Sequence, residues 1–276
     1  MEPFVVAPVV SQGGLAPTID LAPVVSYFET VSAGRCRLLP VVLAPIEVQS
    51  SFSHWSERGG LGRYPRNSQA LLQAAMPGIL RSPSVMAAGE RILLVVCGGT
   101  FRPHTWTPRG KALPMGPDRF CRRYAVVPAG VSRTVLCHEL GHLLFDWPDL
   151  LRVRGLGDTC LMATPDRSSD DPPWPCAPLR LRMGWIAAAE AGRATKLEDL
   201  RVGDVWRVAR AGGTVLVERA RSGGLHVYEA DGTARQPIRW FANIVDHAND
   251  QTRPLLAVLR ERMGVVSGIS KPLVPA

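Results

Sequence analysis

Residues 131–150 read VSRTVLCHELGHLLFDWPDL, and our prediction of the fold starts from these residues. Its apolar run from 131 to 145 predicts a helix. Residues four apart lie on one face of a helix, so His138 and His142 can reach one metal ion. Glu139, next to the first histidine, can reach a water molecule on that metal. This His-Glu-x-x-His spacing is typical of a zinc hydrolase.

The motif needs a third protein ligand, because catalytic zinc sites use three and leave one position open. Two aspartates, Asp146 and Asp149, follow the second histidine. Pro148 ends the helix or follows its end, so the chain can turn and bring Asp149 back to the metal. Asp146 lies four residues after His142, which on a continuing helix is one turn too far along. We therefore predict Asp149 as the third ligand and keep Asp146 as the alternative.

The chemistry that these residues predict is the hydrolysis of a peptide bond by a zinc-activated water. Zn²⁺ lowers the pKa of a bound water and polarises the substrate carbonyl. Glu139 is then the general base, which takes the water proton and hands it to the leaving amine. His104, in a predicted loop over 100–118, and Tyr228 are candidates for stabilising the oxyanion.

The composition fits a globular protein of one large domain or two small ones, with 276 residues, 46% hydrophobic and 20% charged. The net charge of +8 is scattered and rich in arginine, so it predicts no nucleic-acid binding and is typical of a high-GC bacterial genome. No apolar run is long enough to span a membrane. The start, Met1–Phe4, lacks the basic region of a secretory signal. We expect a cytoplasmic chain, or a secreted one if a signal has been removed. The sequence indicates no oligomeric state.

The pattern along the chain predicts an α+β fold in three parts. Residues 1–34 are rich in Val and Pro, and Ala7–Val10 recurs as Ala22–Val25. Because proline is excluded from central strands, we expect short edge strands or extended segments here, or a pro-segment or substrate-like arm. Residues 35–197 are the predicted catalytic core, a mixed sheet with the active-site helix. Residues 198–276, with alternating strands and glycine turns, predict antiparallel hairpins in the same domain.

Several further segments occur in an order that resembles one known family. They are Trp147–Leu150 (WPDL), Gly155–Ala163 (GLGDTCLMA), Met183–Ile186 (MGWI), Leu216–Arg219 and Gly224–Tyr228. With the motif helix, they resemble the immune-inhibitor-A family of bacterial zinc metallopeptidases, which is metzincin-like. The resemblance implies a metzincin-like zinc endopeptidase that acts on a peptide or protein. It also implies that Met162 lies beneath the metal as an apolar floor.

The sequence departs from the family pattern just after His142. Phe145 stands where the family has a glycine turn, and one extra residue separates His142 from the Pro148-Asp149 pair. These departures leave two alternatives open: a catalytically silent metal- or peptide-binding member, or a zinc hydrolase of a non-peptide amide. The compact length favours a limited target, such as one protein or precursor peptide.

Two cysteines accompany the predicted site. Cys137 directly precedes the first histidine of the motif, and Cys160 lies two residues before Met162, in the segment Gly155–Ala163 that we call the methionine turn. If the fold brings that turn under the zinc, the two cysteines are close enough for a disulfide. The alternative is a pair of buried free thiols.

Overall fold

The computed structural model describes residues 1–16, 18–49, 65–87, 90–97, 101–108, 113–116, 118–153, 156–163, 166–191, 196–210, 213–221, 223–229, 238, 240–244, 255 and 259. The chain divides into two compact units. Unit 1 comprises Met1–Trp147 and Asp166–Pro172, and unit 2 comprises Pro148–Pro165 and Pro173–Ala276. Several sheets and few helices make up the described residues, so the predicted α+β class is confirmed. Among those residues no helix is both long and apolar enough to cross a membrane.

Unit 1 is built on a six-stranded sheet. Its elements are β1 (Glu2–Ser11), α1 (Ala22–Val31), β2 (Leu38–Val42), β3 (Ile46–Val48), α2 (Pro65–Leu80), β4 (Arg91–Val96), β5 (His104–Trp106), β6 (Pro114–Gly116), β7 (Arg119–Phe120), β8 (Arg123–Pro128) and α3 (Arg133–Phe145). The strand order is β2-β1-β4-β8-β5, β3 also pairs with β1, and β6 and β7 form a separate pair. All strands of the large sheet are parallel except β5, which runs antiparallel to β8. The sheet is therefore mixed, as predicted.

Strand β1 lies inside this sheet, which differs from the edge strands expected over residues 1–34. Its stretch Phe4–Val10 is buried throughout. The Val6 carbonyl accepts a hydrogen bond from the chain just after β2, and the Val9 carbonyl accepts one from the chain just after β4. Because alternate residues face the same neighbour, Pro8 faces the β2 side. There β2 pairs only as far as Val6 and β3 begins at Val9, so the missing N–H of Pro8 removes no hydrogen bond from the sheet.

The second Ala-Pro-Val-Val copy, Ala22–Val25, begins helix α1 and is not extended. Pro23 lies in the first helical turn, where the backbone N–H has no helical partner in any case. The N–H of Ala22 donates to Oδ1 of Asp20 at 3.0 Å. The buried face of α1 consists of Val24, Phe28 and Val31. Both copies thus belong to the packed structure of unit 1, unlike the pro-segment or arm that was the alternative expectation.

Unit 2 contains a second sheet of five strands. Its elements are α4 (Ala177–Arg182), β9 (Ala188–Glu190), β10 (Val205–Arg210), β11 (Gly213–Arg219), β12 (Leu225–Glu229) and β13 (Trp240–Ile244). In the order β13-β12-β11-β10-β9, neighbours are antiparallel except β9, which is parallel to β10. The hairpins predicted after residue 198 are therefore confirmed. The compact unit that holds them begins earlier, at Pro148.

Candidate metal centre

The two histidines of the motif lie one turn apart on helix α3. Ser132 caps this helix by accepting a hydrogen bond from the N–H of Val135 at 3.3 Å. The Nε2 atoms of His138 and His142 are 3.1 Å apart. Two nitrogen ligands of a tetrahedral zinc ion, each bonded at about 2.0–2.1 Å, lie about 3.3 Å from one another. The spacing of the two rings therefore fits a shared ion.

A backbone carbonyl orients the ring of His142. Its Nδ1 lies 2.5 Å from the carbonyl oxygen of Trp147, in the turn that follows α3. Because a carbonyl oxygen can only accept, Nδ1 carries the hydrogen of the neutral ring. Nε2 then has the lone pair that a metal requires, and Nε2 is the atom that faces His138. The turn thus selects the tautomer that can bind an ion.

Asp149 completes a set of three possible ligands. One atom from each of His138, His142 and Asp149 lies within 4.8 Å of the other two, and no other such group of His, Cys, Asp or Glu occurs among the described residues. His138 is buried, His142 is half-buried and Asp149 is exposed. Two imidazoles and one carboxylate are a donor set that zinc accepts in catalytic sites.

Asp146, the alternative third ligand, ends the motif helix and pairs with an arginine. It ends α3 in the left-handed conformation, with φ 56 and ψ 28. Its carboxylate pairs with the guanidinium of Arg123 at 2.7 Å, and Arg123 also donates to the carbonyl of His142 at 2.6 Å. Asp146 is therefore the residue at which the chain leaves α3, and Asp149 follows three residues later.

The carboxylate of Glu139 is held by a residue that the sequence did not single out. Glu139 is buried, and its Oε2 accepts a hydrogen bond from the hydroxyl of Thr105 at 2.8 Å. The same hydroxyl lies 3.2 Å from the backbone carbonyl of Glu139. Thr105 is the middle residue of β5, the edge strand within the range 100–118 that was expected to be a loop. Its sequence neighbourhood carries no signal for this contact, which the pairing of β5 with β8 creates.

His104, the first candidate for oxyanion stabilisation, makes other hydrogen bonds. Its Nδ1 lies 2.9 Å from the carbonyl of Arg102, to which it donates. Its Nε2 lies 2.6 Å from the hydroxyl of Ser68, from which it accepts. Burial lowers the pKa of His104 to about 4, so the ring is neutral near pH 7 and keeps no second N–H. Successive residues of a strand face opposite sides, so Thr105 and His104 point apart.

Tyr228, the second candidate, donates its hydroxyl hydrogen within unit 2. The acceptor is Oε2 of Glu218 at 2.8 Å, which also accepts from the N–H of Ala177 at 3.2 Å. The other oxygen of Glu218 pairs with the buried guanidinium of Arg180. Burial, and then the negative charge of Glu218, raise the pKa of Tyr228 well above its usual value. This contact network gives Tyr228 a structural role in the second sheet and no support as an oxyanion donor.

The methionine turn is joined to the segment that carries Asp149. Met162 is fully buried, and its carbonyl accepts a hydrogen bond from the N–H of Leu150 at 2.7 Å. Of the two alternatives for Cys137 and Cys160, the structure has the pair of buried free thiols. The Sγ atom of Cys160 instead accepts a hydrogen bond from the N–H of Cys176 at 3.3 Å. The partner of Cys160 therefore comes from the start of α4.

No family model matches this chain, and no curated protein matches it significantly. The resemblance to immune-inhibitor-A-like peptidases thus remains a prediction from motifs and their order.

Proposed function

We propose that this protein is a zinc-dependent metallopeptidase in which His138, His142 and Asp149 hold the metal. The observation that carries the proposal is the convergence of their three ligand atoms within 4.8 Å, with the buried Glu139 next to His138 in sequence. An ion bound by three protein ligands supplies a Lewis acid and lowers the pKa of a water molecule. Zinc is the proposed ion, because catalytic zinc sites use two imidazoles and one carboxylate as ligands and Glu139 lies next to the first histidine in sequence.

Glu139 is the general base of this proposal. The hydrogen bond from Thr105 fixes Oε2, which makes Oε1 the candidate atom for taking a proton from the attacking water. After the attack, the same carboxyl group hands that proton to the leaving amine. A single orientation serves both transfers, so the hydroxyl of Thr105 is a positioning group and the carboxylate is the catalytic one.

The substrate of this proposal is an extended peptide that pairs with the edge strand β5. In the described part of the chain, β5 ends the strand order of the first sheet, and its central residue, Thr105, contacts Glu139. A peptide that adds to this edge gains backbone hydrogen bonds and passes beside the base. We propose a limited target, such as one protein or precursor peptide, and cleavage of a broad panel of unrelated proteins would contradict that part.

The metal site is tested by the zinc content of purified variants, measured by inductively coupled plasma mass spectrometry. We expect equimolar zinc in the wild type and its loss in His142→Ala and Asp149→Ala. Asp146→Ala is the matched control, because it removes an aspartate three residues from Asp149 that pairs with Arg123. Zinc lost from Asp146→Ala and kept in Asp149→Ala would exchange the roles of the two aspartates.

The reaction is tested separately with Glu139→Gln, which keeps the shape of the side chain and removes its basicity. We expect this variant to bind zinc as the wild type does and to cleave no peptide in a library that the wild type cleaves. Equal cleavage by both proteins would refute the role of Glu139. Zinc binding with no cleavage by the wild type would favour the catalytically silent alternative, and turnover of small amides alone would favour a non-peptide hydrolase.

A further inference from the structure

The two cysteines Cys160 and Cys176 lie together in unit 2 and form a thiol pair. Both are buried. The N–H of Cys176 donates to Sγ of Cys160 at 3.3 Å. The backbone next to the two cysteines is also hydrogen-bonded, since the N–H of Leu161 donates to the carbonyl of Trp174 at 3.3 Å.

The chain between the two cysteines contains a segment that is hydrogen-bonded to the start of the motif helix. Between the two cysteines lies the segment Asp166–Pro172, which belongs to unit 1 together with α3. Three hydrogen bonds join this segment to the first turn of α3: the Ser132 hydroxyl to the Arg167 carbonyl (2.6 Å), the Arg133 N–H to Oδ1 of Asp170 (2.8 Å), and the Thr134 N–H to the Ser169 carbonyl (3.3 Å). A covalent link at the ends of the loop would restrain the segment that caps the helix.

We propose that Cys160 and Cys176 form an intrachain disulfide by thiol–disulfide exchange with a small disulfide such as oxidised glutathione. The thiolate of one cysteine attacks one sulfur of the oxidant, and the first glutathione leaves as a thiolate. The other cysteine then gives up its proton and attacks the protein sulfur of the mixed disulfide, which releases the second glutathione. Two protein thiols are oxidised, one disulfide is reduced, and the two protons end on the two glutathione thiols.

The surroundings of the pair make its two members unequal. Burial by itself raises the pKa of Cys160, but hydrogen bonds from the Cys176 thiol and from the backbone of Met162 and Cys176 bring it below its ordinary value. Burial and the neighbouring Cys160 sulfur raise the pKa of Cys176 well above its own. In the folded protein Cys160 is therefore the more acidic thiol of the pair. The remaining thiols are different: Cys121, for example, is buried and donates to the carbonyl of Arg123.

The bridge is tested on the full chain, because trypsin cleavage after Arg167 puts the two cysteines on separate peptides. Since both sulfurs are buried, the protein is refolded in a glutathione redox buffer or in reductant, then alkylated, digested and analysed by mass spectrometry. We expect one cross-linked peptide pair joining Cys160 to Cys176 in the redox buffer, with the other thiols alkylated. Cys121→Ser, the matched control, should keep that link, and Cys176→Ser should lose it.

The thermal midpoint of unfolding gives a second measurement. Adding reductant should lower the midpoint of the oxidised wild type and of Cys121→Ser, and leave that of Cys176→Ser unchanged. A cross-link between Cys160 and Cys137, or full alkylation of all cysteines after refolding in the redox buffer, would overturn the proposal. If Cys176→Ser does not fold, the peptide map of the wild type decides by itself.

Discussion

Replacing Thr105 by Val removes one hydroxyl at nearly constant volume, and it tests whether β5 positions the base. That hydroxyl donates to Oε2 of Glu139 at 2.8 Å. A hydrogen bond to a charged group contributes about 1.5–3 kcal/mol, and about 1.4 kcal/mol corresponds to a tenfold change in rate. If the bond serves the proton transfers, kcat should fall about 10- to 150-fold, and KM should change little.

The assay compares wild type, Thr105→Val and Thr105→Ser on a peptide that the zinc-loaded wild type cleaves. Thr105→Ser keeps the hydroxyl and should recover most of kcat. Zinc content should stay the same in all three proteins, since the hydroxyl of Thr105 contacts Glu139, which is the proposed base and not a proposed metal ligand. An unchanged kcat in Thr105→Val, with Glu139→Gln inactive, would refute the positioning role. Loss of zinc from Thr105→Val would show that β5 supports the metal site.

Three further predictions concern stability and the end of the motif helix. Burial lowers the pKa of His104 from 6.5 to about 4, so its neutral ring contributes stability above pH 6.5 that is lost as the pH falls toward 4. Between pH 7.5 and 5 this loss is about 2 kcal/mol in urea unfolding, and His104→Gln should remove it; an identical pH dependence in both proteins would contradict this. Arg180→Met leaves the buried carboxylate of Glu218 without its guanidinium and should lower the free energy of unfolding by about 3–5 kcal/mol, whereas the further change Glu218→Gln should restore part of it. Asp146→Asn keeps a residue that tolerates the left-handed conformation and removes the exposed pairing with Arg123, so it should change stability by less than about 1 kcal/mol and keep the zinc; loss of zinc would contradict the place assigned to Asp146.

The local sequence pattern correctly predicted those elements of the fold that depend on residues close together in sequence. The apolar run from 131 to 145 predicted α3, because helix spacing involves residues at most four apart. The alternation and glycine turns after residue 198 predicted the antiparallel strands for the same reason. The facing of His138 and His142 is likewise a property of one helix.

The prolines did not predict the structure of residues 1–34, because the effect of a proline in a sheet depends on which neighbouring strand its nitrogen faces. The tetrapeptide Ala-Pro-Val-Val is buried strand at Ala7–Val10 and the first helical turn at Ala22–Val25. Pro8 is tolerated inside the sheet because β2 and β3 leave a gap on the side that it faces. Nothing within four residues of Pro8 specifies that gap.

The motif helix, the spacing of His138 and His142 on it, and the place of Glu139 next to His138 all followed from local sequence pattern. It also favoured Asp149 over Asp146, by the argument that a helix ended near Pro148 turns the chain back. The contact between Thr105 and Glu139 depends on the packed sheet, because the register of β5 against β8 turns Thr105 toward α3 and its neighbour His104 away. Helix geometry follows from short-range bonds within one segment, whereas strand register joins residues far apart in sequence and depends on the packing of the whole sheet.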